Sequence, residues 1–545
     1  MSESRASLPD RTWWRSAVLY QIYPRSFADS DGDGIGDLAG IAAHLDHLRG
    51  APDALNVDGI WLSPIYPSPQ KDFGYDISDY CAIDPAYGNL RTFDLLVAEA
   101  HRRGLKVLLD LVPGHTSDQH PWFQAARRSR DDPHRELYIW ADPAPDGGAP
   151  NNWTAAFGGS AWQLEERTGQ YYLHSFYPEQ PDLNWRTPQT HERMADVVRF
   201  WLARGVDGFR VDAIDRSMKD ALLRENPPAV PGYLTPFMAS GDQLHVWNKN
   251  RPETVDVVRS IRAAATAARA DVMLLGEAYL PVEILGRYLG TPEQPVFDLA
   301  FDFTFIATPW DADEMRVTIE GPEAHLPAHG WPCRALSNHD NPRHGTRFGA
   351  RALRPAAVLL LTLRGTPVLY MGEEIGMLDV PPPAGIRFDR FGRDACRTPM
   401  QWSSEAGGGF TGASPWLPLG DIATVNAQDQ RPDPRSLLSL YRELLRLRHA
   451  SAALSTGTFR SIDLPAGSGA VAYLREADGE RLVVIVSFRS EPVQVDLRRA
   501  ARGRLGASGA VVLSTVPERG AGDPVDLAAV SLAPDEALIV ELQAR

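Results

Sequence analysis

Eight short apolar segments, helical patterns between them, and polar residues at most segment ends predict a (β/α)8 TIM barrel, an α/β fold. The segments are AVLYQIYP (17–24), VDGIWLSP (57–64), KVLLDLVP (106–113), VDGFRVDA (206–213), VMLLGEAY (272–279), DLAFDFTF (298–305), CRALSNHD (333–340) and TPVLYMGE (366–373). Near-continuous apolar runs mark strands buried on both faces, as in a parallel sheet. Between them, TFDLLVAEAHRRG (92–104) has apolar residues at 93, 96 and 97 and stops at Gly104. HERMADVVRFWLARG (191–205) stops at Gly205 in the same way. Glycine just past a helix end suits a left-handed C-terminal cap.

Two stretches interrupt the rhythm. Residues 116–187, rich in Trp, Tyr, Gly and Pro, follow the third strand and read as an inserted subdomain. Residues 216–257, with PP and PG turns, form a second excursion after the fourth. From about residue 456 short alternating strands take over: VAYLRE, RLVVIVSF, VQVDL and ALIVELQ. They predict a C-terminal antiparallel β-domain. The expected division is a barrel over 1–115 and 188–455, the insertion over 116–187, and the β-domain over 456–545.

Composition narrows the function. With 43% hydrophobic and 23% charged residues the chain can build a large core, which excludes disorder as its main state. The net charge of −15 disfavours nucleic acid or an anionic membrane as partner. Three cysteines without metal-type spacing argue against a disulfide framework. The N-terminus MSESRASLPDRTWW has no apolar signal region, and the run AAVLLLTL (356–363) is too short to span a bilayer. The expectation is a soluble, cytoplasmic protein.

The strand ends carry the chemistry, because a barrel places its active site at the C-terminal ends of its strands. Arg210 and Asp212 are two apart in GFRVDAID, so strand geometry points both to one face. A neighbouring guanidinium lowers a carboxylate's pKa, which suits a nucleophile; a structural ion pair is the alternative. Glu277 ends an apolar strand, where burial and nearby carboxylates raise a pKa and suit a general acid. His115 follows strand three, and His339 and Asp340 end strand seven where strand gives way to loop. Carboxylates with Arg and two His fit glycosidic cleavage, which needs one acid on the leaving oxygen and one carboxylate opposite. DSDGDGIGD (29–37) offers oxygen ligands at 29, 31, 33 and 37 with glycines for a tight turn. It reads as a structural Ca²⁺ loop, with Mg²⁺ as the other candidate and a metal-free Asx-rich turn as the alternative. It is not an EF-hand, since Gly40 stands where that loop needs Glu and a strand precedes it.

With these residues in view, the chain resembles the α-amylase superfamily of glycoside hydrolases (family 13), nearest its oligo-1,6-glucosidase and α-glucosidase branch. The resemblance runs from WWRSAVLYQIYPRSF (13–27) through GIWLSPIYPSP, KDFGYDISDY, DLVPGHTS, QPDLNW, GFRVDAID, GEAY, LSNHD and GTPVLYMGEEIGM to RTPMQW (397–402). It implies Asp212 as nucleophile, Glu277 as general acid/base and Asp340 as transition-state stabiliser. It implies Arg210, His115 and His339 on the ring hydroxyls, and Asp72 and Arg397 on the non-reducing end. Tyr75 would lie beneath the ring, and Phe157 and Phe176 would form aromatic walls. Asp29, Asp31, Asp33, the Ile35 carbonyl and Asp37 match the family's metal loop; no organic cofactor is expected. The carboxyl groups of a retaining pair should stand about 5–5.5 Å apart.

Two residues depart from or qualify this pattern. Gly114 replaces the Asn that usually precedes the first motif's His, which removes a side-chain hydrogen bond. Ala213, after the nucleophile, leans toward α-1,4 bonds. The expected activity is a retaining, exo-acting α-glucosidase on short α-glucosides, with transglucosylation where a sugar replaces water. Trehalose synthase, sucrose isomerase and dedicated α-glucosyltransferases are the near rivals, and a non-enzymatic barrel like the amino-acid-transporter heavy chains is the distant one. The expected partners are small sugars, with the protein a monomer or homodimer.

Overall fold

The computed structural model describes residues 12–229, 239–240, 242–502 and 504–543. Residues 1–11, where the absence of a signal region was read, and the PG turn of the second excursion lie outside them. Eight parallel strands form one sheet: β1 (Leu19–Ile22), β2 (Gly59–Leu62), β3 (Lys106–Leu111), β4 (Gly208–Val211), β5 (Met273–Gly276), β6 (Leu299–Ala300), β7 (Cys333–Ala335) and β8 (Thr366–Tyr370). Every predicted segment contains one. Their order, 6-5-4-3-2-1-8-7, is that of a barrel opened between β6 and β7. There the Asp302 N–H donates to the Cys333 carbonyl at 3.0 Å, so the gap is nearly closed.

A helix follows each strand: α1 (Leu38–Ala43), α2 (Leu90–Arg102), α3 (Pro188–Ala203), α4 (Thr254–Ala268), α5 (Val282–Leu289), α6 (Ala312–His325), α7 (Leu353–Thr362) and α8 (Leu437–Ala450). The glycine caps are as read. Gly104 has φ +77°, its N–H reaches His101 O at 2.9 Å, and Leu105 N–H reaches Ala100 O at 2.9 Å. Gly205, at φ +95°, closes α3 with the same pair of bonds, to Leu202 and Trp201. Helix α3 starts at Pro188, ahead of the apolar pattern, because proline's fixed φ suits a first helical turn.

By its contacts the chain divides into two units. One holds Trp61–Ala98 and Lys106–Phe301; the other holds Arg15–Ile60, Glu99–Leu105 and the chain from Asp302 onward. In the first unit β4 pairs with β3 and β5, and Asp110 sits opposite Arg210 in register. The insertion after β3 carries a three-stranded antiparallel sheet (Trp140–Ala141, Gln170–Leu173, Trp162–Glu165) over a core of Trp153, Ala161, Trp162 and Leu173. Within the second excursion Ala239–Ser240 pairs with Gln243–Leu244.

In the second unit β1 pairs with β8, and β8 with β7. The C-terminal part is a six-stranded antiparallel sheet with a two-stranded one beside it. Alternating strands suggest one solvated face. The central strands Ala470–Ala477 and Glu480–Ser487 are instead buried on both sides. Ala472, Leu474, Val483 and Ile485 fill the domain core. Tyr473 faces the other way, and its hydroxyl meets Thr362 Oγ1 of α7 at 2.6 Å. Among the described residues no helix is long and apolar enough to cross a membrane.

Candidate active site

The first unit gathers its acids around one guanidinium. Period-two geometry turns Asp110 (β3), Arg210 (β4) and Asp212 to the same side. Arg210 is buried. Its Nη1 donates to Asp110 Oδ1 and to Asp212 Oδ1, the latter at 2.6 Å, and its Nη2 pairs with Glu277 Oε1 at 2.6 Å. Asp110 also accepts from Trp61 Nε1 at 3.0 Å and the Tyr75 hydroxyl at 3.2 Å. Glu277 Oε2 accepts the Ala213 N–H at 2.9 Å. That bond is possible because Ala213 adopts a left-handed turn (φ 37°, ψ 40°) directly after Asp212. Such a backbone costs a non-glycine residue about 1 kcal/mol or more.

One expectation needs correction here. Arg210 was expected to hold the Asp212 carboxyl low, but its pKa lies well above the ordinary range. Burial dominates; Arg210 opposes it, and the charges of Glu277 and Asp110 add to it. One guanidinium shared among three carboxylates cannot offset the burial of each. Asp212 and Glu277 are both held by Arg210, which sets the two carboxyls side by side at adjacent strand ends. Glycosidic cleavage requires one such carboxyl as acid and the other as carboxylate.

Around this cluster, His115 is buried and kept neutral by that burial, with Nε2 3.1 Å from the Tyr75 carbonyl. Asp72 is buried and accepts from Gln180 Nε2 at 2.9 Å. Phe176 meets the His115 ring edge-on at 5.3 Å, and Phe157 lies 5.5 Å from Phe176, both half-exposed. A Cβ at Gly114 would meet nothing within 4 Å, so no neighbour fills the place of the expected Asn.

The second unit holds Asp340, His339 and Arg397 together. Gln21, on β1, donates to His339 Nδ1 at 2.7 Å, which leaves the ring proton on Nε2, 3.3 Å from Asp340 Oδ2. Tyr23 stacks on His339 with ring centres 5.9 Å apart. Asp340 Oδ1 accepts from Arg397 Nη2 at 2.8 Å and from Arg393 Nη1 at 2.9 Å. Arg397 Nε also donates to the His339 carbonyl at 2.7 Å. Asn338 accepts the Asp340 N–H at 2.9 Å in the turn where β7 gives way to loop.

The acidic loop 29–37 also lies in this unit. Asp29, Asp31 and Asp37 bring carboxylate oxygens within 4.8 Å of one another; the Asp33 carboxylate is not in that group. The loop is held by its own backbone: Asp29 accepts from Gly32 N–H at 2.7 Å and Gly34 N–H at 2.9 Å, and Asp33 from Ile35 N–H at 2.7 Å. The Asp33 charge pushes the exposed Asp31 carboxyl up. An all-oxygen donor set under mutual repulsion fits a hard divalent cation.

Gln21, Gln180 and Arg393 contribute contacts that the sequence reading did not assign. Asp110 was legible as a charged residue at the end of an apolar strand.

Residues 21–457 match the α-amylase catalytic domain. The chain belongs to the α-amylase family of glycoside hydrolases. It is 43% identical over 524 residues to a probable α-glucosidase of Rhizobium meliloti, covering 91% of this chain and 93% of that one. It is 36% identical to an oligo-1,6-glucosidase of Parageobacillus thermoglucosidasius, covering 88% and 91%. The crystal structure of the α-glucosyl transfer enzyme XgtA superposes with a TM-score of 0.89 at 38% identity, covering 98% of this chain and all of that one. In this α-amylase-family enzyme Asp212 and Glu277 directly follow the barrel strands β4 and β5.

Proposed function

We propose that this enzyme is a retaining, exo-acting α-glucosidase that releases α-glucose from short α-glucosides, with α-1,4 links favoured. The observation that carries the reading is the bridge by which Arg210 holds both Asp212 and Glu277 at adjacent strand ends. Glu277 protonates the glycosidic oxygen as Asp212 attacks the anomeric carbon. The C–O bond breaks, the aglycone leaves as an alcohol, and a β-glucosyl ester forms on Asp212. Glu277 then takes a proton from water, whose oxygen attacks the same carbon and displaces Asp212, giving α-glucose. Asp340 takes the stabiliser's role, and Asp72 and Arg397 grip the non-reducing end. Neutral His115, with His339, supplies hydrogen-bond donors to hydroxyls; Tyr75, Phe157 and Phe176 supply apolar surface to the ring.

Incubation with maltose, isomaltose, trehalose and sucrose, followed by chromatography, tests this reading. Glucose as the accumulating product, appearing first as the α-anomer by NMR, supports it. Trehalose or an isomerised disaccharide would transfer the chain to the rearranging rivals. The likeness to XgtA supports transfer to sugar acceptors as a second outlet of the same intermediate. Asp29, Asp31 and Asp37 would hold Ca²⁺ or Mg²⁺ with structural effect, Asp33 and the Ile35 carbonyl closing in on binding. A cytoplasmic monomer or homodimer completes the proposal, and light scattering reads the oligomeric state.

A further inference from the structure

The loop after β8 returns a second arginine to Asp340. Arg393 Nη1 donates to the same Oδ1 that Arg397 holds, at 2.9 Å beside 2.8 Å. Its side chain is 9% exposed. Its other edge is gripped by Asp389: Nη2 to Oδ1 at 2.7 Å, Nε to Oδ2 at 3.0 Å, and the Arg393 N–H to Oδ2 at 2.7 Å. Asp389 is wholly buried. Burial would raise its carboxyl, but the hydrogen bonds and charge of Arg393 overcome that and hold it at about 2. Asp394 in turn accepts the Asp389 N–H at 3.0 Å and the Phe388 N–H at 2.9 Å, which fixes the turn.

We propose that Arg393 is a positioning residue that locks the Asp340 carboxylate in its working orientation, and that Asp389 both aims Arg393 and cancels its charge. The proposal rests on reading Asp340 as the transition-state stabiliser. Two donors on one oxygen stop the carboxylate from rotating and commit its second oxygen to the opposite side. The charge balance matters as much as the geometry. Positive charge develops on the sugar ring in an oxocarbenium-like transition state, and an uncompensated guanidinium beside Asp340 would oppose it. Two arginines and two aspartates sum to zero. A loop that merely needed pinning would be served by the Asp389–Arg393 pair alone; the second arm of Arg393 spends its donor on Asp340.

The test compares R393A, R393K, D389N and D340N in the full chain, with kcat and KM measured separately on p-nitrophenyl α-glucoside across pH. R393A should lower kcat by about 50- to 500-fold with KM within about threefold, as expected when an interaction serves the transition state. Guanidinium ion at about 50 mM should restore at least about tenfold of the loss, and R393K should fall between R393A and the unaltered enzyme, since lysine lacks the planar fork. D389N, which keeps Arg393 but leaves its charge unmatched, should lower kcat by about tenfold. Values of kcat within about threefold of normal in both R393A and D389N would overturn the proposal, as would R393A without guanidinium rescue and R393K no faster than it. Should R393A fail to fold, normal kcat in R393K and D389N overturns it alone. Near-normal turnover by D340N would instead remove the underlying reading of Asp340, whereas an inactive D340N beside a normal R393A defeats only the role of Arg393.

Discussion

At the residue scale, the proposed mechanism turns on the protonation of one buried cluster. As the proposed nucleophile Asp212 must ionise to attack, so Asp212→Asn should fold normally by circular dichroism yet lose at least about 10³-fold in kcat. Asp110 is held up to about 6, burial outweighing Arg210, and its charge helps raise Asp212. Asp110→Asn removes that negative neighbour and leaves more of Arg210 to Asp212. Both effects lower the Asp212 pKa, so the acid limb of the kcat/KM profile should move to lower pH, by about one unit. A limb that stays in place or moves up would contradict the cluster as drawn. The strand-end acids were legible because period-two geometry aims them. Gln180, acting on Asp72 from 108 positions away, and Gln21, acting on His339 from 318 away, were not. Local pattern carries no record of such distant partners.

At the scale of elements, close packing sets where the acids stand. Gly276 ends β5 immediately before Glu277, and a Cβ there would lie 2.4 Å from the Phe297 ring. Gly276→Ala should therefore destabilise by about 1–3 kcal/mol through overpacking and displace Glu277, with kcat falling more than KM rises. Urea unfolding and steady-state kinetics read the two effects separately. The helix ends were legible for the complementary reason. Gly104 and Gly205 occupy left-handed positions whose penalty any side chain would feel, so the residue type alone announces the cap. The start of α3 was less so, since Pro188 precedes the first apolar turn. The two buried faces of the C-terminal strands were hidden as well, because Tyr473 looks like a solvent-side residue until α7 covers it.

At the scale of the molecule, stability should depend on the loop at 29–37. A divalent cation that binds only the folded chain adds about 2.7 kcal/mol at a hundredfold excess over its dissociation constant. Chelation should lower Tm, Ca²⁺ or Mg²⁺ should restore it, and Asp29→Ala should abolish the response in a calorimeter. A Tm indifferent to chelator would leave the loop a metal-free turn stitched by its own Asx bonds.

Taken alone, the order of residues determined the eightfold alternation, the insertion after β3, the β-rich tail and the acids at the strand ends. Each is written in local periodicity, where hydrophobic burial and backbone geometry act on neighbours. Only the tertiary structure decided that Arg210 is shared among three carboxylates, that Asp212 is held up rather than down, and that Arg393 joins Arg397 on Asp340. Charge interactions depend on burial and on partners brought in from far along the chain, and neither exists until the barrel has formed.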